Sequence, residues 1–325
     1  MDVVAAKAED WERDPFTAVE EKGYLYGRGV EDNKYDISMM VATLAQMRRN
    51  GFTPERTLIL ALTGDEETAM ATTRALAQQL KGAELVLNGD GGGGLLGPDG
   101  QPIFYGLQGG EKTYADFEIT FTNPGGHSSA PTGDNAIQHL AAALQRIGAY
   151  DFPPRSNELT RASLMAASEQ VGGEIGAAMA RFAKDPTATA AADPISSPPC
   201  RIFPGVSVDS VKAKLTELVA DEEAQITVLD DPSGSDASPL RPDVMAAVTK
   251  AVHARYPDVA IVPSMSAGAT DSYHFRAAGV PSYGVSSLFI RAEDSFAHGL
   301  NERVPVAGIG PSLEHWRSLL RDFAG

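Results

Sequence analysis

The chain has 325 residues, enough for two domains with cores of their own. Hydrophobic residues make up 43% and charged residues 22%, the balance of an ordinary globular protein. A formal charge of −16 without clustered Lys and Arg excludes a nucleic-acid surface, and no apolar run reaches the length of a membrane helix. The single cysteine, Cys200, excludes an internal disulfide framework and an all-cysteine zinc site, which leaves it the role of a small buried apolar residue. Met1-Asp2-Val3-Val4 carries neither a basic start nor a targeting core. A soluble, cytoplasmic chain is expected, unless a targeting segment precedes the present start.

In chain order, Asp36–Arg49 is predicted as a helix, with Ile37, Met40, Val41, Leu44 and Met47 at helical spacing and Gly51 as its stop. Thr57–Thr63 and Leu85–Leu87 are short apolar runs that suit buried strands of a sheet covered on both faces. Strand alternating with helix gives an α/β layer. Asp65-Glu66-Glu67 and Asp90 then fall just past strand ends, where ligand crevices form in open α/β sheets. A second unit is expected from Lys112: a strand over Tyr114–Thr122, a helix over Ala136–Ile147 with Ile137, Leu140, Leu144 and Ile147 inward, a strand over Arg201–Phe203, a helix over Ser210–Val219 and a strand over Gln225–Leu229. This order predicts a small α+β sandwich inserted into the larger domain, which resumes with a helix over Asp243–Tyr256. The expected division is residues 1–111 with 233–325, and residues 112–232. Ala183–Pro199, rich in Ala, Thr, Ser and Pro, is predicted as loop.

Five residues carry the chemistry: Asp32, Glu66, Glu67, Asp90 and His298. Carboxylate oxygens with a histidine nitrogen are the ligand set of a zinc-like ion pair, and an extra carboxylate is what the activated water needs as its proton acceptor. Each has a plainer alternative. Asp32, in Gly27-Arg28-Gly29-Val30-Glu31-Asp32-Asn33-Lys34, also suits a helix N-cap. Glu66 and Glu67 also suit a solvated acidic turn. Asp90 precedes Gly91–Gly94, a flexible turn on the bland reading. A phosphate loop is disfavoured there because the pattern ending in Gly-Lys is absent. His298 sits among Gly299, Asn301 and Glu302, which favours a ligand over a surface histidine, with Glu302 as its partner. His127, in Pro124-Gly125-Gly126-His127-Ser128-Ser129, suits substrate binding, oxyanion stabilisation or capping of the next helix. His139, His253, His274 and His315 fall on helical or apolar stretches and are expected to be structural.

The stretches MDVV, WERDPF, GRGVEDNK, GDEET, NGDGGGG, GGHSS, RIFPG, GATDS and AHGLNERV, in that order along nearly the whole chain, resemble the zinc-dependent family of glutamate carboxypeptidase, aminoacylase, succinyl-diaminopimelate desuccinylase and carnosinase. The carboxypeptidase and carnosinase-like branch is the nearest. The resemblance implies a metallopeptidase-type α/β catalytic domain with a central mixed sheet flanked by helices, plus the inserted α+β lid and dimerisation domain. It implies two divalent ions, zinc first and cobalt or manganese as alternatives. Asp32 would bridge them, Glu67 and Asp90 would each bind one, and His298 would be the terminal histidine ligand. Glu66 would be the general base, and Asp2 would orient the family's first histidine ligand. His127 would polarise the scissile carbonyl in the partner subunit of a homodimer, Arg201 would hold the substrate carboxylate, and Gly268 would lend backbone contacts. The implied reaction is cleavage of a peptide or N-acyl amide bond next to a free carboxylate.

The chain departs from the family in two places. The first histidine ligand, expected two residues before the position of Asp2, falls before Met1, so a truncated member is expected. Near residues 190–199 a Gly-rich stretch and an Asn-x-x-Pro are replaced by Ala-Ala-Asp-Pro-Ile-Ser-Ser-Pro-Pro. A catalytically inactive homologue that dimerises or binds is therefore the competing expectation, and a nucleotide-binding protein built on Gly91–Gly94 is a remote third.

Overall fold

A computed structural model of the chain describes residues 2–127, 129, 133–153, 155–185, 201–229, 232 and 234–325. The elements of the first part are β1 (Val19–Glu21), β2 (Tyr24–Tyr26), α1 (Tyr35–Arg49), α2 (Ala71–Gln79), β3 (Val86–Asn88), β4 (Gly93–Leu96) and β5 (Pro102–Glu111). The middle holds β6 (Thr113–Tyr114), β7 (Asp116–Thr120), α3 (Ala136–Gly148), α4 (Glu158–Val171), α5 (Gly173–Lys184), β8 (Arg201–Ile202), α6 (Val208–Val219) and β9 (Gln225–Leu229). The last part holds α7 (Pro242–His253), β10 (Ala260–Ser266), α8 (Ser272–Ala277), β11 (Ser282–Gly284), β12 (Phe289–Arg291), β13 (Arg303–Pro305) and α9 (Ile309–Ala324).

The central sheet is mixed, in the order β12-β4-β5-β11-β3, with β10 parallel to β5. β4–β5 is antiparallel, whereas β3–β11 and β4–β12 are parallel. Tyr105, Leu107, Tyr283, Val285, Trp316 and Leu319 are buried in the core between this sheet and helices α1, α7 and α9. Each such side chain contributes roughly 1.5–3 kcal/mol of burial. The sheet is the predicted mixed α/β layer.

The glycine run after Asp90 is structural rather than a loose turn. Gly93 and Gly94 belong to β4, and a Cβ on Gly94 would overlap the Phe289 ring of the neighbouring strand. Gly92 has φ +74 beside the Gly284 carbonyl, a left-handed conformation that glycine adopts without a steric penalty.

The smaller elements form two antiparallel pairs, β6–β8 and β7–β9, with a separate apolar cluster around Ala115, Ile202, Val211 and Leu215. The predicted strand over Tyr114–Thr122 is thus two short strands, each paired to a different partner. α3 forms as expected, capped by the Asn135 side chain on the Ile137 amide, but its orientation differs from the prediction. Ile137 is 77% exposed and Leu144 54% exposed, whereas Ala143 is fully buried. Ala143 and the predicted Ile147 face inward, Ile147 against the apolar cluster, α3 packs on α6, and of the four residues expected inward Ile137 and Leu144 face out.

Two predictions fail for identifiable reasons. Thr57–Thr63 forms no strand: no described strand lies beside it to complete a ladder, and Ile59 and Leu62 are 58% and 48% exposed. The segment instead runs along a cavity of 830 Å³, across from the free edge of β3. The hairpin α4–α5 is absent from the periodicity reading. α4 starts at a reciprocal cap in which Asn157 and Thr160 satisfy each other's backbone amides, and Leu159 packs where Gly109 and Gly110 of β5 carry no Cβ. The predicted loop over Ala183–Pro199 begins inside α5, and its remainder from residue 186, like Cys200 and the substitution near residues 190–199, lies outside the described residues.

Candidate metal centre

The turn that carries Asp32 is shaped from the far end of the chain. Glu302, fully buried, accepts the Glu31 amide at 2.8 Å and the Asp32 amide at 3.0 Å on Oε1. Its Oε2 accepts the Gly29 amide and Arg28 Nη1, both at 2.8 Å. Glu31 in turn accepts Ser295 Oγ and the Phe296 amide, each at 2.7 Å. Two carboxylates therefore lock residues 28–32 to residues 295–302, which brings Asp32 and His298 together. Glu302 holds the Asp32 turn, not the His298 ring as expected. The N-cap alternative for Asp32 is not realised, since Lys34 occupies the cap position of α1 and its side chain makes no capping bond to the helix.

The loop with Glu66 and Glu67 is held from three sides. Asp65 accepts the Ala71 amide at 2.7 Å and the Thr72 amide at 3.1 Å, so it caps the first turn of α2. Asp2 accepts the Glu66 amide on Oδ1 at 3.1 Å and the Glu67 amide on Oδ2 at 3.2 Å. Asp271 accepts Thr63 Oγ1 at 2.6 Å and also Thr73 Oγ1.

His298 Nε2 lies 3.0 Å from Asp32 Oδ2 and 3.1 Å from Glu67 Oε2. One ligand atom from each of these three residues lies within 4.8 Å of the others. His298 itself has φ +62, a left-handed conformation uncommon outside glycine, which turns its ring into the cluster. Asp32, Glu66, Glu67 and Asp90 all line the 830 Å³ cavity, with Asp2 and Asp271 beside them. Burial pushes the Glu66 carboxyl up to about 8, helped by the charges of Asp271, Glu67, Asp32 and Asp2. Burial, then the charges of Asp32, Glu66 and Asp271, holds Asp90 well above the usual carboxylate range. Glu67 is raised by burial and by Asp32, against the opposing pull of His298.

Burial is the first cause of all three shifts, and the crowding of like charges adds to it. The cations on the same wall are committed elsewhere, Lys34 to the Arg28 carbonyl at 2.7 Å and Arg56 to Glu84 at 2.6 Å. Hard oxygen donors and one imidazole around a charge deficit fit divalent cations, zinc included.

The remaining predicted residues stand outside this cluster. His127 is exposed, and its Nδ1 faces the Ser129 amide at 3.2 Å; α3 is capped by Asn135 instead. Arg201, on β8, lies over the Tyr114 ring at 4.9 Å and lines a separate 400 Å³ cavity with Lys112. Gly268 donates its amide to Ser266 Oγ at 2.9 Å, two residues before Thr270. The four other histidines behave as structural groups. His139 pairs with Asp221 at 2.8 Å, and His253 and His315 bind backbone carbonyls through Nε2. His274 is buried. Sequence reasoning missed Asn88, Glu111 and Asp271, whose partners are far away along the chain; the Asp of GATDS was the one available signal.

Three carboxylates of one cavity wall and a histidine beside them form a candidate metal-binding group on a mixed α/β fold. The family follows from comparison: residues 1–322 match the model of Peptidase family M20/M25/M40, and the chain belongs to that family. It is accordingly an enzyme of the peptidase and amidohydrolase kind. Among relatives it is similar to the N-fatty-acyl-amino acid synthase/hydrolase PM20D1 of Bos taurus, 27% identical over 94% of this chain and 69% of that one. It is also similar to a probable succinyl-diaminopimelate desuccinylase of Staphylococcus aureus, 35% identical over 43% of this chain and 33% of that one. In fold it resembles the M20 family metallo-carboxypeptidase Sso-CP2 of Sulfolobus solfataricus, with TM-score 0.70 and 17% identity over 98% of this chain and 82% of that one. Human carnosine dipeptidase 1 gives TM-score 0.63 and 14% identity over 99% and 78%. Among the described residues no helix is long and apolar enough to cross a membrane.

Proposed function

We propose that this chain hydrolyses a peptide or N-acyl amide bond next to a free carboxylate, using two divalent cations. The observation that carries this reading is the divergence of two adjacent glutamates. Glu67 turns to His298 and Asp32, whereas Glu66 stays out of that triad, lines the same cavity and has a carboxyl that burial pushes up to about 8. On this reading Glu67 would bind a cation, and Glu66 beside it would move the proton. Asp32, Glu67, Asp90 and His298 would hold the cations, zinc first, which when bound supply Lewis-acid activation of water. Glu66 takes a proton as water oxygen bonds to the carbonyl carbon, then returns it to the nitrogen as the C–N bond breaks. An amine and a carboxylic acid result.

By resemblance, Arg201 holds the substrate carboxylate, the Gly268 segment lends backbone contacts, and His127 acts from one protomer on the scissile carbonyl at its partner. Asp2, which props the Glu66 and Glu67 amides, serves the same loop. A homodimer through residues 112–232 is supported by the exposed apolar residues Ile137 and Leu144 on one side of α3. The relatives' names favour dipeptides and N-acyl amino acids as the substrates to try first.

The test is Glu66→Gln, assayed with zinc present against N-acyl amino acids and dipeptides. Turnover is expected to fall by at least roughly a hundredfold, the contribution of a general base, while cation binding persists. Turnover equal to the parent chain would refute the assignment.

A further inference from the structure

Asp271 lies in the GATDS stretch, from which the family resemblance assigns a role to Gly268 alone. It stands at the N-terminal end of α8, and both of its carboxylate oxygens are used. Oδ2 accepts Thr63 Oγ1 at 2.6 Å, and Oδ1 accepts Thr73 Oγ1. Thr63 immediately precedes Gly64, and Thr73 is a fully buried residue in the first turn of α2. Residues 64–72 between them carry Glu66 and Glu67. One side chain therefore ties both ends of the loop with the catalytic carboxylates to a single point.

That point is anchored in the core. The Thr270 amide and Oγ1 donate to buried Glu111 at 3.1 and 2.6 Å. Glu111 also pairs with buried Arg276 at 3.1 Å and accepts Gln108 Nε2 at 2.7 Å. Asn88 extends the network to the other wall of the site. Its Nδ2 donates to Thr270 Oγ1 at 3.2 Å and Ser272 Oγ at 3.0 Å, and its Oδ1 accepts the Asp90 amide at 2.9 Å. The turn Thr270-Asp271-Ser272 thus touches the supports of Glu66, Glu67 and Asp90 at once.

We infer that Asp271 is a positioning residue for the reaction, a staple that holds the Glu66–Glu67 loop in register with Asp90 through the Thr270–Ser272 turn. The inference rests on the hydrolase reading above for its consequence in catalysis, though not for the staple itself. Hydroxyl donors to an ionised carboxylate make stronger bonds than neutral pairs. Their loss frees a loop in which a shift of about 1 Å costs on the order of a hundredfold in rate.

The experiment compares the paired substitutions Thr63→Val with Thr73→Val against Thr63→Ser with Thr73→Ser, which keep the hydroxyls. Amide hydrogen exchange over residues 64–70 is measured in the metal-free chain, and kcat and KM are measured with zinc. Exchange in the valine pair is expected to run roughly tenfold faster than in the serine pair, with protection in β5 and β11 unchanged. Turnover is expected to drop by about a hundredfold in kcat at unaltered KM, and the serine pair should match the parent chain. Should the valine pair not fold, Asp271→Asn, which retains the side-chain shape, takes its place with the same expectation. Equal exchange in the valine and serine pairs overturns the staple. Absence of any turnover in the parent chain refutes the hydrolase reading instead, and the exchange comparison still decides the staple.

Discussion

Glu302 accepts the amide of Asp32, 270 residues before it, at 3.0 Å. The same carboxylate is ion-paired to Arg28 at 2.8 Å with both side chains almost wholly out of solvent. A buried carboxylate with four donors is the element that fixes where Asp32 points.

Replacing it by Glu302→Gln leaves the shape but turns an NH₂ towards backbone amides and strips Arg28 of its counter-charge. Removing one member of a buried pair costs about 3–5 kcal/mol. Denaturant unfolding should show a loss of that order, and zinc affinity should fall with it because the Asp32 turn loosens. Full stability with full zinc affinity in this variant would show that the turn holds itself.

His315 provides the pH prediction. It is buried, its Nε2 donates to the Val285 carbonyl at 3.1 Å, and burial pushes its imidazole down to about 4 from 6.5. Between those values the unfolded chain binds a proton that the folded chain refuses. The folded state is therefore at full advantage above pH 6.5 and loses about 3 kcal/mol as pH falls through the window to about 4. Below that window this group costs nothing further. Urea unfolding at about pH 7 and about pH 4.5 should show a smaller pH-dependent loss in His315→Gln than in the parent chain. An identical loss in the two would remove His315 as its source.

Ile137 and Leu144 provide the test of assembly. Both are apolar, exposed and a few residues apart on α3. If this face is the dimer contact, Ile137→Glu with Leu144→Glu should weaken association by roughly thirtyfold or more in sedimentation, without changing the melting temperature of the monomer. A parent chain that sediments as a monomer, or a dimer indifferent to the two charges, would place the contact elsewhere.

The sequence made Asp32, Glu66, Glu67, Asp90 and His298 visible because each sits in short glycine-rich or acidic text; the four carboxylates line one cavity, and His298 meets Asp32 and Glu67 beside it. What it left hidden acts at long range. Glu302, Asp271 and Asn88 bind partners 270, 208 and 182 residues away, and no local pattern announces such a bond. Asp36 is similar: it was expected only as the start of a helix, yet it is buried and accepts Ser287 and Trp316 Nε1 at 3.0 and 2.7 Å. Thr57–Thr63 failed as a strand because apolar composition states a preference for burial, while a strand also needs a neighbour with which to pair. In the hairpin α4–α5, the apolar face of α4 is weak, and its evidence lay in the Asn157 cap and in two glycines of β5; α5 has a clear apolar face that the sequence reading passed over.

The central claim is that Asp32, Glu67, Asp90 and His298 hold a pair of divalent cations. Its most direct test is zinc titration of the folded, metal-free chain, with stoichiometry read by elemental analysis and repeated on Asp32→Ala. Two ions per parent chain and none or one in Asp32→Ala is the predicted result. No saturable zinc binding by the parent chain, or two ions undisturbed by Asp32→Ala, would contradict it.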